Sequence, residues 1–148
     1  MTEKPLLRIP LFHRPLLLIA ALLGASAVGI GAFASHGLSK QLESQGFATE
    51  VVAKKLDQCE LAVRYQMFHA LALVAMALAP ISTRSVLLPT SGFLMLLGTC
   101  GFSGGLYSMV FADRILHWSI VPIGGVLLIL AWLTLALGAL TQSANPDS

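Results

Sequence analysis

PLLLIAALLGASAVGIGAFAS, residues Pro15 to Ser35, contains no Asp, Glu, Lys or Arg. At about 1.5 Å of rise per residue, a helix of this length crosses a hydrocarbon core of roughly 30 Å. Working outward, charge-free windows recur from Tyr65 to Thr83, from Ser85 to Ala112 and from Trp118 to Ala144. Lipid offers backbone amides no hydrogen bond, so each window must be a helix that satisfies its own backbone. With 56% hydrophobic and 11% charged residues, little chain remains for a water-facing domain. The fold class is therefore an all-α integral membrane protein, a four-transmembrane-helix bundle. Lys4, Arg8 and Arg14 precede the first window, and Ala32-Phe33-Ala34 resembles a cleavage site. The window nevertheless exceeds a signal-peptide core of about 7–15 residues, so it reads as a retained span.

The spans are expected at about 15–35, 61–81, 89–111 and 118–140, within one membrane domain covering 1–148. Ahead of the first, Leu6, Leu7, Ile9, Leu11 and Phe12 alternate with Arg8, His13 and Arg14, a pattern suited to the headgroup region. Between spans one and two, residues 47–60 read as an amphipathic helix. Phe47, Val51 or Val52, Leu56, Cys59 and Val63 form its stripe, and it runs unbroken into span two. Ser82-Thr83-Arg84-Ser85 forms a turn, Asp113-Arg114 mark the exit of span three, and the tail from Thr141 frays. Lys4, Arg8, Arg14 and Arg84 lie on the face of the termini, against Lys40, Lys54, Lys55, Arg64 and Arg114 opposite. The compact cluster before span one favours cytoplasmic termini.

Alternation of four spans brings the conspicuous polar residues to one membrane face. His36 ends span one; Arg64, Tyr65, Gln66 and His69 open span two; Ser103 and Tyr107 lie near the end of span three; His117 and Ser119 open span four. Tyr65 and His69 are one turn apart and share a helix face with Gln66. These residues could form a polar pocket or proton-handling site, with His36 and His69 as the groups that titrate near neutral pH. The simpler reading, which we prefer, is interhelical hydrogen bonding that holds the bundle together. No metal site is expected, because the histidines lack a tight ligand spacing and the membrane windows hold no carboxylate. Cys59 and Cys100 read as small apolar fillers.

Small residues recur at four-residue steps: Ala25 with Gly29, Ala27 with Gly31, Gly101 with Gly105, and Cys100 with Gly104 and Ser108. Such steps let helices approach closely and place spans one and three at the centre of the bundle. In Pro122-Ile123-Gly124-Gly125, proline and the two glycines suggest a kink. There is no G-x-S-x-G, Walker sequence, HExxH or paired membrane carboxylate, and no basic stripe for nucleic acid.

Four ordered motifs carry a resemblance. They are Gly31-Ala32-Phe33 with His36-Gly37-Leu38; Ala62-Val63-Arg64-Tyr65-Gln66 with His69-Ala70-Leu71-Ala72; Phe102-Ser103-Gly104-Gly105-Leu106-Tyr107; and Pro122-Ile123-Gly124-Gly125 with Ala131-Trp132. In these the chain resembles the YgdD-like family, catalogued as domain of unknown function four-two-three. The resemblance departs at Ala34-Ser35, where Gly-Ala is expected, and at Gly105, where serine is commoner. It implies a small polytopic protein, mostly of the bacterial inner membrane, and brings no established activity or cofactor.

The function expected is that of a non-enzymatic accessory, assembly or envelope-maintenance protein. Its partners would be the lipid bilayer and a larger membrane complex. The alternative is a small carrier, pore or lipid- or quinone-binding protein using His36, His69 and Tyr107.

Overall fold

The computed structural model describes residues 13–79, 86–113 and 117–143, and among these every regular element is helical. The headgroup segment at 6–12, the turn at 82–85, Arg114 and the tail beyond 143 lie outside the described residues. Helix α1 covers Arg14–Phe33, with Pro15 in a first turn whose amides need no helical partner. The chain does not leave the helix at Ser35 as expected. A π-helical turn at Ala34–Leu38 passes directly into α2, Ser39–Ser44, making one helical rod of 31 residues.

The π turn has a packing reason. Ala20, Ala27 and Ala34 bury one line of the rod, and Leu38 and Leu42 continue it in steps of four. At 3.6 residues per turn, each step of four drifts by about 40°, and the wider turn absorbs that drift. Gly46, at φ +83°, then closes the helix: its amide donates to Glu43 O at 2.9 Å and the Phe47 amide to Leu42 O at 3.3 Å. This paired cap needs a left-handed residue, and glycine supplies it without a Cβ penalty.

Helix α3, Thr49–Leu78, holds the amphipathic segment and span two in one piece of 30 residues. It is about 45 Å long and stands out beyond the hydrocarbon core. Helices α4, Leu87–Phe111, and α5, Ile120–Ser143, supply the other two spans. Ala34, Leu38 and Leu42 meet Val52, Cys59 and Val110 in one apolar cluster near the protruding hairpin. Ala20, Leu73, Met76, Met95 and Ala131 form a second within the spans.

Packing orders the spans α1, α3, α4, α5. Helix α3 lies against both α1 and α4, while α5 packs on α4. Helices α3 and α4 are therefore central, and α1 and α5 bury far less of their length. This differs from the expectation that spans one and three form the centre. Helix α1 approaches α4 through side chains, with the Phe33 and Phe111 rings 6.2 Å apart.

The glycine positions explain the difference. A Cβ on Gly124 would run into the Phe102 amide nitrogen, and one on Gly101 would sit 3.2 Å from Gly124 Cα. On Gly98 and Gly105 it would come within 2.7 Å of Leu128 and Val121. The close seam thus joins α4 to α5 with backbone against backbone. Gly31 meets Val63 at 3.3 Å, Gly125 is in ordinary contact with Phe102, and Gly29 and Gly104 face open space. Pro122 falls in the first turn of α5, where no helical hydrogen bond is lost. The motif around it serves close approach, with no kink required.

Gly124→Ala should therefore cost at least about 1–3 kcal/mol through overpacking against an unyielding backbone. Gly29→Ala and Gly104→Ala should stay within about 0.5 kcal/mol. Thermal unfolding in mild detergent checks the ranking; equal midpoints for all three would contradict the α4–α5 seam.

Candidate functional site

The polar residues of the membrane face are distributed among the helix joints. Between α3 and α1, Gln66 Nε2 donates to Leu23 O and to Ser26 Oγ, both at 2.8 Å. Between α4 and α3, the Ser103 hydroxyl donates to Ala62 O at 2.9 Å. Between α4 and α5, the Ser91 hydroxyl donates to Ala131 O at 2.7 Å. In each joint a buried side chain on one helix reaches the second lone pair of a main-chain carbonyl on its neighbour. Lipid could not satisfy these donors, so each one selects its partner helix.

His69 bridges from α3 to α5, and its partners dictate its tautomer. Nδ1 lies 2.7 Å from Tyr65 O, a group that can only accept, so Nδ1 carries the proton. Nε2 receives the indole N–H of Trp132 at 3.2 Å, a group that can only donate. Both ring nitrogens are thus engaged within the protein. The Tyr65 ring, partly exposed, packs tilted against Phe102 at 4.7 Å between centroids and stacks towards the His69 ring at 6.1 Å.

The remaining sequence candidates are not brought into this group. His36, in the π turn, is exposed to the surroundings. Arg64 is exposed and lies 4.0 Å from Glu60 on its own helix. Tyr107 joins the cluster around Cys59 near the hairpin, and its buried hydroxyl has no protein partner. The seven residues therefore take part in several separate contacts.

The most heavily engaged polar group is one that sequence reasoning left among the loop charges. Lys55, 5% exposed, donates to Met109 O at 2.8 Å, to Val110 O at 3.3 Å and to Asp113 Oδ1 at 2.7 Å. An ammonium has three hydrogens, and all three have acceptors here. The Phe47 ring covers the same nitrogen, 4.9 Å from its centroid. Two of the acceptors are carbonyls from the last turn of α4, which have no intrahelical partner, so Lys55 caps that helix in trans. Asp113, at φ +49°, adopts the left-handed conformation that ends the helix and turns its carboxylate back. A signal for this did exist. The line Val52, Lys55, Cys59, Ala62, Gln66, His69, Leu73 is buried throughout at helical spacing, and a lysine on such a line requires a partner.

Two measurements follow. Gln66→Leu should destabilise the protein by about 0.6 kcal/mol and at most about 1.7 kcal/mol. Lys55→Met should cost more than Asp113→Asn, because Lys55 is buried whereas Asp113 is 68% exposed and can exchange its partner for water. Denaturant titration in micelles checks both. Nitrogen-15 spectra of His69 in bilayers should show the proton on Nδ1, and a majority on Nε2 would contradict the Trp132 contact.

Comparison with known proteins gives a consistent picture. The profile of the family described as "Protein of unknown function (DUF423)" matches residues 30–125. The chain is 39% identical over 125 residues to a UPF0382 membrane protein of Haemophilus influenzae, covering 83% of this chain and 91% of that one. It is 33% identical over 122 residues to a UPF0382 membrane protein of Schizosaccharomyces pombe, covering 79% and 94%. It is 32% identical over 127 residues to the UPF0382 inner membrane protein YgdD of Escherichia coli, covering 86% and 90%. No solved structure matches the chain.

Proposed function

This chain belongs to the DUF423 family of membrane proteins, and on that premise we propose that it is a non-enzymatic accessory or assembly protein. In this reading it attaches to a larger complex of the bacterial inner membrane. One observation carries the reading: the buried polar side chains of the spans mostly serve helix joints. Gln66, Ser103, Ser91 and His69 each engage a neighbouring helix, and Lys55 pins the hairpin to the end of α4. Such use of polar groups supports a scaffold. A carrier working through His36, His69 and Tyr107 has less support, because His36 is exposed, Tyr107 packs against the apolar cluster around Cys59, and both nitrogens of His69 are engaged.

Helices α1 and α5, at the two ends of the row, present most of their surface outward and supply area for contact with other transmembrane helices. We place the termini in the cytoplasm. Lys55 is bound within the fold and Arg64 lies along a span, which leaves Lys40, Lys54 and Arg114 as positive charges of the opposite face. Lys4, Arg8, Arg14 and Arg84 then outweigh them.

Native electrophoresis tests the proposal. Gently solubilised membranes should give a band heavier than that of the purified chain reconstituted alone, and equal migration would overturn it. For orientation, Glu43→Cys, at an exposed site on α2, should be labelled by an impermeant reagent from the periplasm. Labelling only after permeabilisation would reverse the assignment.

A further inference from the structure

We propose that the crevice between α1 and α4 seats a transmembrane helix of a partner chain, which packs against Gly104 and donates a side-chain hydrogen bond to Gln66. This rests on the accessory reading above and names the surface through which attachment occurs. No Cα of α1 lies within 8 Å of a Cα of α4, so only side chains cross between the two helices. At one end the rings of Phe33 and Phe111 bridge the gap, and at the other Ala20 and Met95 are buried in the same cluster. Spans one and three run in the same direction, and seven residues before each ring, about two turns, stand Ser26 and Gly104. They lie at one level on the facing sides. A Cβ on Gly104 would meet nothing within 4 Å, and Cys100, one turn further along that side of α4, is exposed.

The second observation is an unused acceptor on the floor of this crevice. Gln66 is 5% exposed, and the carbonyl of Leu23, which can only accept, fixes Nε2 as the atom that points to α1. Nε2 also donates to Ser26 Oγ, so the amide sits beside the residue opposite Gly104. Its carbonyl oxygen, Oε1, receives no hydrogen bond among the described residues. Nor is it sealed in, since the enclosed polar side-chain atoms without a partner are Thr99 Oγ1 and the Tyr107 hydroxyl. Ser26 is at least nine residues, about 13 Å, from either end of the Pro15–Ser35 window. At that depth hydrocarbon gives Oε1 no donor.

The missing donor names the occupant. Acyl tails carry none, and phospholipid hydroxyls and amines stay with the headgroups. A second copy is unsuited, because a two-fold contact of crevice with crevice sets one Oε1 against the other. The hydroxyls of Ser26, Thr90 and Thr134 are moreover already given to carbonyls of their own helices. A helix of a different chain, with serine, threonine, asparagine or glutamine at this level, supplies what Oε1 needs. The bare Gly104 wall lets its backbone come close, as Gly101 does for α5 within this chain.

Native electrophoresis and photo-cross-linking of the full chain in its own membranes test this seat. Gly104→Leu fills the crevice where the fold leaves room, so the purified variant should melt with the unaltered chain. Its share in the heavier native band should fall by more than about tenfold. Leu71→Trp, on the outward side of α3, should leave that share unchanged. In the otherwise unaltered chain, p-benzoylphenylalanine in place of Leu97, exposed two turns from Gly104 on the same side of α4, should cross-link to a transmembrane segment of another protein bearing such a polar residue. The same probe in place of Leu71 should not, and Gly104→Leu should abolish the Leu97 product. That product also reads the seat if Gly104→Leu accumulates poorly. No heavier band from the unaltered chain would overturn the accessory reading and this one together. A heavier band or Leu97 product that survives Gly104→Leu would overturn the crevice alone. So would equal loss with Leu71→Trp, or a Leu97 product made only of a second copy or of a lipid-soluble hydroxyl compound.

Discussion

Hydrocarbon gives a polar group nothing to bond, and that constraint organises this protein. A soluble bundle can leave a serine or glutamine hydroxyl or amide to water, but a membrane span cannot. Here the donors of Gln66, Ser103 and Ser91 each find a carbonyl on the adjacent helix, and the three joints they make run in sequence from α1 through α3 and α4 to α5. Individually these bonds are modest. Together with the glycine seam, they specify which helix faces which, a choice that apolar contact alone would leave nearly degenerate, because lipid tails pack against leucine as well as a helix does.

At the membrane face the constraint changes form, since water is near but backbone carbonyls at the end of α4 still need donors. Lys55 supplies them from another helix and adds the Asp113 carboxylate. The protruding ends of the rod and of α3 are thereby tied to the bundle, and Leu38, Leu42, Val52 and Cys59 pack beneath them. The π turn at Ala34–Leu38 belongs to the same device, because it keeps the buried line of the rod continuous as the rod leaves the membrane. A histidine that ends an apolar run is accounted for simply: it occupies the outward side of that widened turn, where the membrane boundary tolerates an ionisable ring.

Much of the fold was legible because membrane periodicity is coarse. Charge-free windows of about twenty residues mark spans almost irrespective of detail, and the stripe through Leu56 and Cys59 predicted that the amphipathic segment would continue into span two. The site was legible in part. Gln66, His69 and Ser103 stood out as polar residues at depth. Their individual partners, Ser26 and the carbonyls of Leu23, Ala62 and Tyr65, carry no mark in the sequence, since every residue has a carbonyl. Lys55 was missed because a lysine beside Lys54 in a polar stretch reads as solvated, and only the parallel line through Val52 and Ala62 turns it inward.

The sequence by itself determined the solvent, the number of spans and the membership of the family. Each of these depends on hydrophobicity summed along the chain, to which every residue contributes locally. Tertiary structure alone decided which helices are neighbours, and it separated glycines that pack from glycines that face open space. It also distributed seven polar residues among several contacts. Those outcomes depend on rotation of each helix about its own axis. A rotation of some tens of degrees, set here by the Gly124 contact with Phe102 and the π turn at Ala34–Leu38, moves a side chain from lipid to interior without changing a single letter of the pattern.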